Sequence, residues 1–592
     1  MRVLWVVVLG VLVAGCLSNG PAPKPTDGDL PKFVSAPIVP VRERANVTFR
    51  TDGDFSYVLE NGTLKVLPAL SILLDVPVPV GNGLPTQKVH MGVFLPAVPE
   101  GTKIPVIADA GPYYGDGDTH ATQPANRLGR FLIENFVPHG YAVAQVSVLG
   151  TGDSEGCMDL MGEVEQAGVQ AAVEWLGTQA WSNGNVALIG RSYDGSTPWE
   201  AAMVGSPHLK TIVPISGLYG QHDLMWRNGS AESRGPGLLW GIYFIDSYSG
   251  NQDRPDLQAR QAASNSICPD SLAGGPEAVA AFGTGDYVAP QGNTYWTERK
   301  FDDEVLENYK GSVYFIHGLQ DWNVDPHMAF PFYQQLEAKG LEMKGLFGQW
   351  AHMYPDRPTE HGTLPTANGK EAYPESVRWD WAEDLLEWFD HYLKGTGAKP
   401  ELHVEVQDAD GSWRIEDTYP PRDLAWRTFA LGKDLKPDAD NAAFIAQNYE
   451  MSFRSDALPN ATRIAGLAQF HVTVTPTGPG GQLYAELRDV DQDGRRLGHA
   501  IMDLRLAQGG HEAQPVTPGM PIVARMEFEP FDVLVPAGHH LELYITNTGR
   551  DYLPSPVSDP VMVNADESSV LRLPVVEREP SVFFQPPAWK PA

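Results

Sequence analysis

Ser192, Asp321 and His352 are the residues of this chain whose types, order and surroundings could together carry out acyl transfer to water. A hydroxyl is a poor nucleophile until a base takes its proton, and that base needs a carboxylate to hold its ring and stabilise its cation. Ser192 stands where an apolar strand, 185–190, passes through Arg191 into a helix read over 195–203. Such a tight strand-to-helix turn displays a serine hydroxyl beside a helix N-terminus. A second apolar strand, 313–316, leads through His317-Gly-Leu-Gln to Asp321, and a third, 345–347, through Gly348-Gln-Trp350-Ala to His352. An acid and a base, each in the turn after a late strand, follow the serine in the order that strand–helix hydrolases use.

Each of these positions has rivals. The strict pattern G-x-S-x-G falls at Gly152-Asp-Ser154-Glu-Gly156, whereas Asp194 occupies the second glycine position after Ser192 and the glycine comes one residue later, at Gly195. Chance alone supplies that pattern in roughly one such chain in three, so context decides. Ser154 follows a strand, 141–148, but no helix begins at it, and Ser192 is preferred on that geometry. His120, His222, His317 and His327 compete for the base, but only His352 stands in a turn after a late strand and downstream of a suitable aspartate; Asp325 and Asp286 compete less well than Asp321 for the acid. For a developing oxyanion, the N–H of Tyr193 sits at the elbow, and residues 110–115, which include Tyr113, follow an early strand where a second donor is expected.

The whole chain bounds the setting. Its 592 residues exceed one ordinary core and predict two or three domains. A net charge of −31 and a pI near 4.8 argue against nucleic acid or an anionic membrane surface as partner. Met1-Arg2, an apolar run over 3–14 and Gly15-Cys16 read as an export signal too short to span a bilayer, followed by a polar, proline-rich linker over 17–35. Val13-Ala14-Gly15-Cys16 resembles a lipobox, which predicts an exported lipoprotein held to a membrane through lipidated Cys16. Cys157 and Cys268 then remain, an even number in an export context and a possible disulfide. Neither has metal-ligand spacing with histidines, and the pattern calls for no metal and no cofactor.

Between about 103 and 393, continuous apolar strands alternate with helices, as in a parallel sheet covered on both faces. A well-marked helix carries Val164, Ala167, Ala171, Ala172, Trp175 and Leu176 at helical spacing. Residues 222–310 interrupt the alternation and read as a cap inserted over the carboxyl edge of the sheet, where such folds bind ligands. Beyond a helix over 381–393 the text becomes short alternating strands with Gly/Pro turns, which indicates a β-sandwich over 401–592 after an α/β catalytic domain over 36–400. Asp489-x-Asp491-x-Asp493-Gly494 resembles the start of a calcium loop, but Ala500 stands where the bidentate glutamate is needed, so a β-turn is expected.

Gly190-x-Ser192-Tyr193-x-Gly195, Glu174-Trp-Leu, Trp181-Ser-Asn-Gly184, the turn 150–156, the Asp321 turn and Trp350-x-His352 together resemble the Xaa-Pro dipeptidyl-peptidase and cocaine-esterase family of serine hydrolases. The likeness runs from about 103 to the C-terminus. It implies an α/β-hydrolase fold with an inserted helical cap and a C-terminal jelly roll, Ser192, Asp321 and His352 as the triad, and the Tyr113 hydroxyl with the Tyr193 N–H as the oxyanion hole. Gln349 replaces a proline common in the family's histidine motif. Asn323, two residues after the acid, resembles the dipeptidyl-peptidase branch, where it helps hold the substrate's N-terminal dipeptide. Asp223 is the candidate carboxylate for a free α-amine, and Tyr219 and Trp226 are candidate walls of a proline pocket. The expected activity is release of N-terminal Xaa-Pro dipeptides from peptides. The alternatives are a carboxylesterase or acylase acting on small esters with the same triad, and a lipid-anchored binding protein on a degenerate scaffold.

Overall fold

The computed structural model describes residues 70–77, 86–99, 101–113, 127–156, 158, 160–233, 287, 294–321, 323–356, 378, 380–408, 413–437, 450–492, 494–509, 512–547, 549, 551–578 and 583–584, together with short strands at 47–48, 58–59 and 65–66. The export signal and Cys16, the linker, His120, Cys157, Cys268, Asp286 and most of the expected cap lie outside the described residues. Among the described residues no helix is long and apolar enough to cross a membrane.

The apolar runs become the strands of one sheet: β1 Leu70–Pro77, β2 Thr86–Phe94, β3 Ile104–Gly111, β4 Ala142–Ser147, β5 Ser182–Arg191, β6 Leu209–Ile215, β7 Ser312–Gly318 and β8 Met343–Gly348. From β3 to β8 neighbouring strands pair in parallel, and β2 and β1 add an antiparallel edge next to β4. The order across the sheet is β8-β7-β6-β5-β3-β4-β2-β1. Side chains alternate faces with period two, so Val106 and Ala108, Val186 and Leu188 and Ile212 join one apolar cluster while Ile107, Ala187, Ile189 and Val213 join the other. The first cluster packs beneath α2 (Glu163–Thr178), α3 (Tyr193–Ala202) and α5 (Ala329–Ala338); the second packs beneath α1 (Arg127–Phe136) and α6 (Trp381–Lys394). A strand buried on both faces needs no polar side, which is why these segments read as unbroken apolar runs.

The catalytic sheet extends further than the sequence indicates. Strand β9 (Val404–Gln407) pairs in parallel with β8, β10 (Trp413–Glu416) pairs antiparallel with β9, and the short strand Phe583–Phe584 closes that edge. The chain thus leaves the catalytic sheet only after Glu416. The sandwich then forms from a seven-stranded and a five-stranded sheet. Phe470, Val472, Val474, Leu571 and Leu573 of the first share one apolar core with Leu483, Ala485, Leu487, Leu541, Leu543 and Ile545 of the second. Of the expected cap, helix α4 (Gln221–Met225), the hairpin Trp226–Arg227 with Ser230–Ala231 and the helix Asp302–Asn308 are described. The hairpin grips the sandwich, since the Asp503 N–H donates to Asn228 O at 3.0 Å and the Leu553 N–H to Ala231 O at 2.9 Å.

The aspartate-rich turn after 489 is held by histidines. His539 Nδ1 lies 2.8 Å from Asp489 Oδ2, and the His540 N–H donates to Asp491 at 2.7 Å.

Candidate active site

Ser192 occupies the sharp turn between β5 and α3, with φ 66° and ψ −125°. A non-glycine residue there costs about 1–3 kcal/mol and persists only where its surroundings hold it. Here the Ser192 N–H donates to Ile215 O at 3.0 Å at the end of β6, while its carbonyl accepts from the N–H groups of Gly195 at 2.9 Å and Ser196 at 3.1 Å. The off-pattern glycine has a steric explanation. A Cβ on Gly195 would lie 2.5 Å from Ile215 O, so close approach to β6 demands glycine at 195. Position 194 tolerates a side chain, because the Asp194 carboxylate packs over Gly111, where a Cβ would lie 1.5 Å from its Oδ1.

Asp321 follows β7 and is wholly buried. Its Oδ1 accepts the N–H groups of Asn323 at 2.9 Å and Val324 at 3.0 Å, and its Oδ2 lies 2.8 Å from His352 Nδ1. Burial pushes this carboxyl's pKa up, but the neighbouring His352, its hydrogen bond and His317 outweigh burial and hold it well below the ordinary carboxylate range. Asp321 is thus a fixed anion with one oxygen reserved for the imidazole. That contact leaves His352 Nε2 buried with no hydrogen-bond partner. The loop carrying His352 is fastened to the elbow by Arg191, whose Nη1 donates to His352 O at 2.8 Å and whose guanidinium lies 4.5 Å from the centre of the Tyr354 ring.

The rivals take structural places. Ser154 Oγ donates to Ser147 O at 2.7 Å and accepts the His90 N–H at 2.8 Å, so both its capacities serve to tie the 150–156 turn to the sheet. His317 is fully buried with Nε2 2.9 Å from Val324 O, and burial lowers its pKa. His222 stacks on Trp226 with ring centroids 5.1 Å apart. Asp325 and His327 meet Glu529 of the sandwich, with His327 Nδ1 3.2 Å from Glu529 Oε1. These three could in number hold a cation, but Arg227 Nε lies 3.3 Å from the same Glu529 oxygen and already supplies positive charge. We read the group as an ion cluster joining the two domains.

The remaining candidates fall around the carboxyl edge of the sheet. Tyr113 is exposed, two residues beyond β3. The Tyr193 side chain turns inward to donate to Glu165 Oε2 at 2.7 Å, and its N–H opens helix α3 beside Ser192. The N–H of Asn323 is held by Asp321, which fixes that residue in the acid turn. Asp223 on α4 is partly exposed, with Lys300 Nζ at 3.8 Å and His222 Nδ1 at 3.6 Å. Burial raises its pKa, but His222 and Lys300 bring it below the usual value. Tyr219 packs on Phe332 at 4.2 Å and donates to Met328 O at 3.0 Å; Trp226 is enclosed by His222, Tyr287 and Trp296. Both rings are buried in packing contacts. Sequence reasoning missed Arg191 and Glu165, which carry no motif signal and act through contacts far along the chain.

Residues 85–354 match the family model for the X-Pro dipeptidyl-peptidase (S15 family), and residues 395–566 match that for the X-Pro dipeptidyl-peptidase C-terminal non-catalytic domain. A Streptomyces avermitilis protein, whose name gives Xaa-Pro dipeptidyl-peptidase as an inferred activity, is 26% identical over 587 residues, covering 83% of this chain and 81% of its own. Among solved structures, a CocE/NonD family hydrolase from Staphylococcus aureus superposes with TM-score 0.63 at 16% identity, over 90% of this chain and 99% of its own. An α-amino acid ester hydrolase superposes with TM-score 0.62 at 16% identity, over 92% of this chain and all of its own. At such identity the structures speak for the fold, an α/β-hydrolase domain followed by a β-sandwich, while the two consecutive family models account for both domains in order. One family model for each domain, in order, places the chain in the X-Pro dipeptidyl-peptidase (S15) family of α/β-hydrolase serine hydrolases.

Proposed function

We propose that this serine hydrolase releases N-terminal dipeptides with proline in the second position, through an acyl-enzyme on Ser192. The observation that carries the reading is the Asp321–His352 contact of 2.8 Å, which leaves Nε2 unpartnered in a loop bonded to the nucleophile elbow. His352 Nε2 takes the Ser192 proton as Oγ attacks the prolyl carbonyl, and Asp321 stabilises the imidazolium. The proton then passes to the departing amine. Water, deprotonated by the same nitrogen, attacks the ester and restores Ser192 as the dipeptide leaves. The Tyr113 hydroxyl and Tyr193 N–H stand as donors to the oxyanion. On that assignment Tyr113→Phe lowers kcat by about 10²–10³ with little change in KM; a loss below threefold removes Tyr113 from the oxyanion hole.

Substrate choice rests on the family models, on Asn323 in the acid turn and on Asp223, a carboxylate held ionised and partly exposed. An α-ammonium group would have to share Asp223 with Lys300. Chromogenic Ala-Pro, N-acetyl-Ala-Pro and simple esters separate the readings. The free dipeptide should be turned over at least tenfold faster than its acetylated form. Equal rates on the two, or a preference for simple esters, would favour a carboxylesterase or acylase.

The lipobox-like text before Cys16 supports an exported, lipid-anchored placement. Cys16→Ser should shift the expressed protein from the membrane to the soluble fraction; unchanged partitioning would count against the anchor.

A further inference from the structure

We propose that Gln349 is a positioning residue through which the β-sandwich fixes the loop of the catalytic base. The proposal rests on the triad reading, since it concerns how His352 is held. Gln349 lies one residue after β8 and three before His352, and it is buried. Its backbone N–H donates to Gln407 Oε1 at 3.0 Å. Its side-chain Nε2 donates to two carbonyls, Gln407 O at 3.0 Å and Asp532 O at 3.0 Å. Its Oε1 accepts from Gln320 Nε2 at 3.0 Å, and Gln320 immediately precedes Asp321. Two carbonyl acceptors on one side and an amide donor on the other admit only one orientation of the side chain.

One side chain therefore ties the base loop to three places at once: the acid turn, the end of β9 and the sandwich strand Phe531–Val535. The sandwich end is itself rigid. Asp532 turns its carboxylate away from Gln349 and onto Arg414 of β10, at 2.9 Å to Nη1 and 2.5 Å to Nη2, and accepts the Tyr419 hydroxyl at 3.1 Å. A buried network with every member satisfied holds a single geometry, and displacing a catalytic group by an ångström costs about 10²-fold in rate. A proline at 349 would have neither the N–H for Gln407 nor the amide for the other three bonds. This chain secures by hydrogen bonds to the sandwich a loop that a proline would stiffen by its ring.

The test uses the full chain and the rate of fluorophosphonate labelling, which needs no assumption about the natural substrate. Labelling of the wild type that is lost in Ser192→Ala secures Ser192 as the nucleophile; without it the underlying reading fails, separately from this one. Gln349→Met keeps length and removes every side-chain bond, and should slow labelling 10- to 100-fold per folded molecule, with folding measured by circular dichroism. Gln349→Glu sets a carboxylate oxygen against two carbonyls and should be slow at neutral pH. Protonation would return one donor, so its rate relative to wild type should climb several-fold as pH falls from 8 to 5.5. A merely structural residue would not give that acid recovery. Rates per folded molecule within twofold of wild type for both variants, or a Glu/wild-type ratio flat with pH, would overturn the proposal.

Discussion

Replacing Asp321 by Asn should lower kcat by about 10⁴ while leaving the fold in place. The direction follows from the hydrogen bonds around the carboxylate. Oδ1 accepts the N–H groups of Asn323 and Val324, so an asparagine must keep its oxygen there and turn its NH₂ toward His352 Nδ1. His352 would then have to offer a lone pair at Nδ1 and carry its proton on Nε2, the atom that must accept the proton of Ser192. The base is disabled by its tautomer, with its position intact. Residual activity should rise with pH as hydroxide substitutes for the missing base. Stability shifts as well. Because the folded pKa of Asp321 is depressed, its stabilising contribution is complete above the unfolded value of about 4 and is lost as pH falls through the folded value. Urea midpoints of variant and wild type should therefore converge in strong acid. A loss of kcat below tenfold would show that Asp321 does not orient the base.

The parts of the molecule legible in the sequence are those that depend on local order. Strands β3 to β8 are buried on both faces, so each announces itself as an apolar run, and the proposed triad was readable because each of its members sits just after one of them. The offset glycine at 195 was readable as a spacing, but its cause, the approach of Ile215 O, needed β6 in place. The edge of the catalytic sheet was not legible. Val404 and Val406 alternate with Glu405 and Gln407 just as sandwich strands do, and an edge strand of one domain has the same period as a strand of the next. What decides the matter is the parallel pairing of Val404, Glu405 and Val406 with Gly345, Leu346 and Phe347 of β8, partners far back in the chain. Gln349 was visible only as a departure from a motif. Its partners Gln407 and Asp532 lie 58 and 183 residues away, and no local pattern connects them.

Ser192→Ala should abolish fluorophosphonate labelling and lower kcat on the order of 10⁶, whereas Ser154→Ala should leave both nearly unchanged and destabilise the fold. The two serines exchange roles between pattern and structure. Ser154 has the better motif, but its hydroxyl is consumed, donating to Ser147 O and accepting the N–H of His90. Alanine there removes one hydrogen-bond partner from a buried backbone N–H and another from a carbonyl, at a cost of about 1–3 kcal/mol, read as a lower urea midpoint at unchanged slope. Ser192 is in the opposite state. Its backbone is fastened on both sides, and alanine suffers the same positive φ, so Ser192→Ala should unfold within a few tenths of a kcal/mol of wild type. Activity and stability thus separate cleanly between the two variants. Labelling that survives in Ser192→Ala, or disappears in a folded Ser154→Ala, would move the nucleophile to the strict motif and remove His352 from its role, because His352 shares its loop contact with Arg191 at the Ser192 elbow.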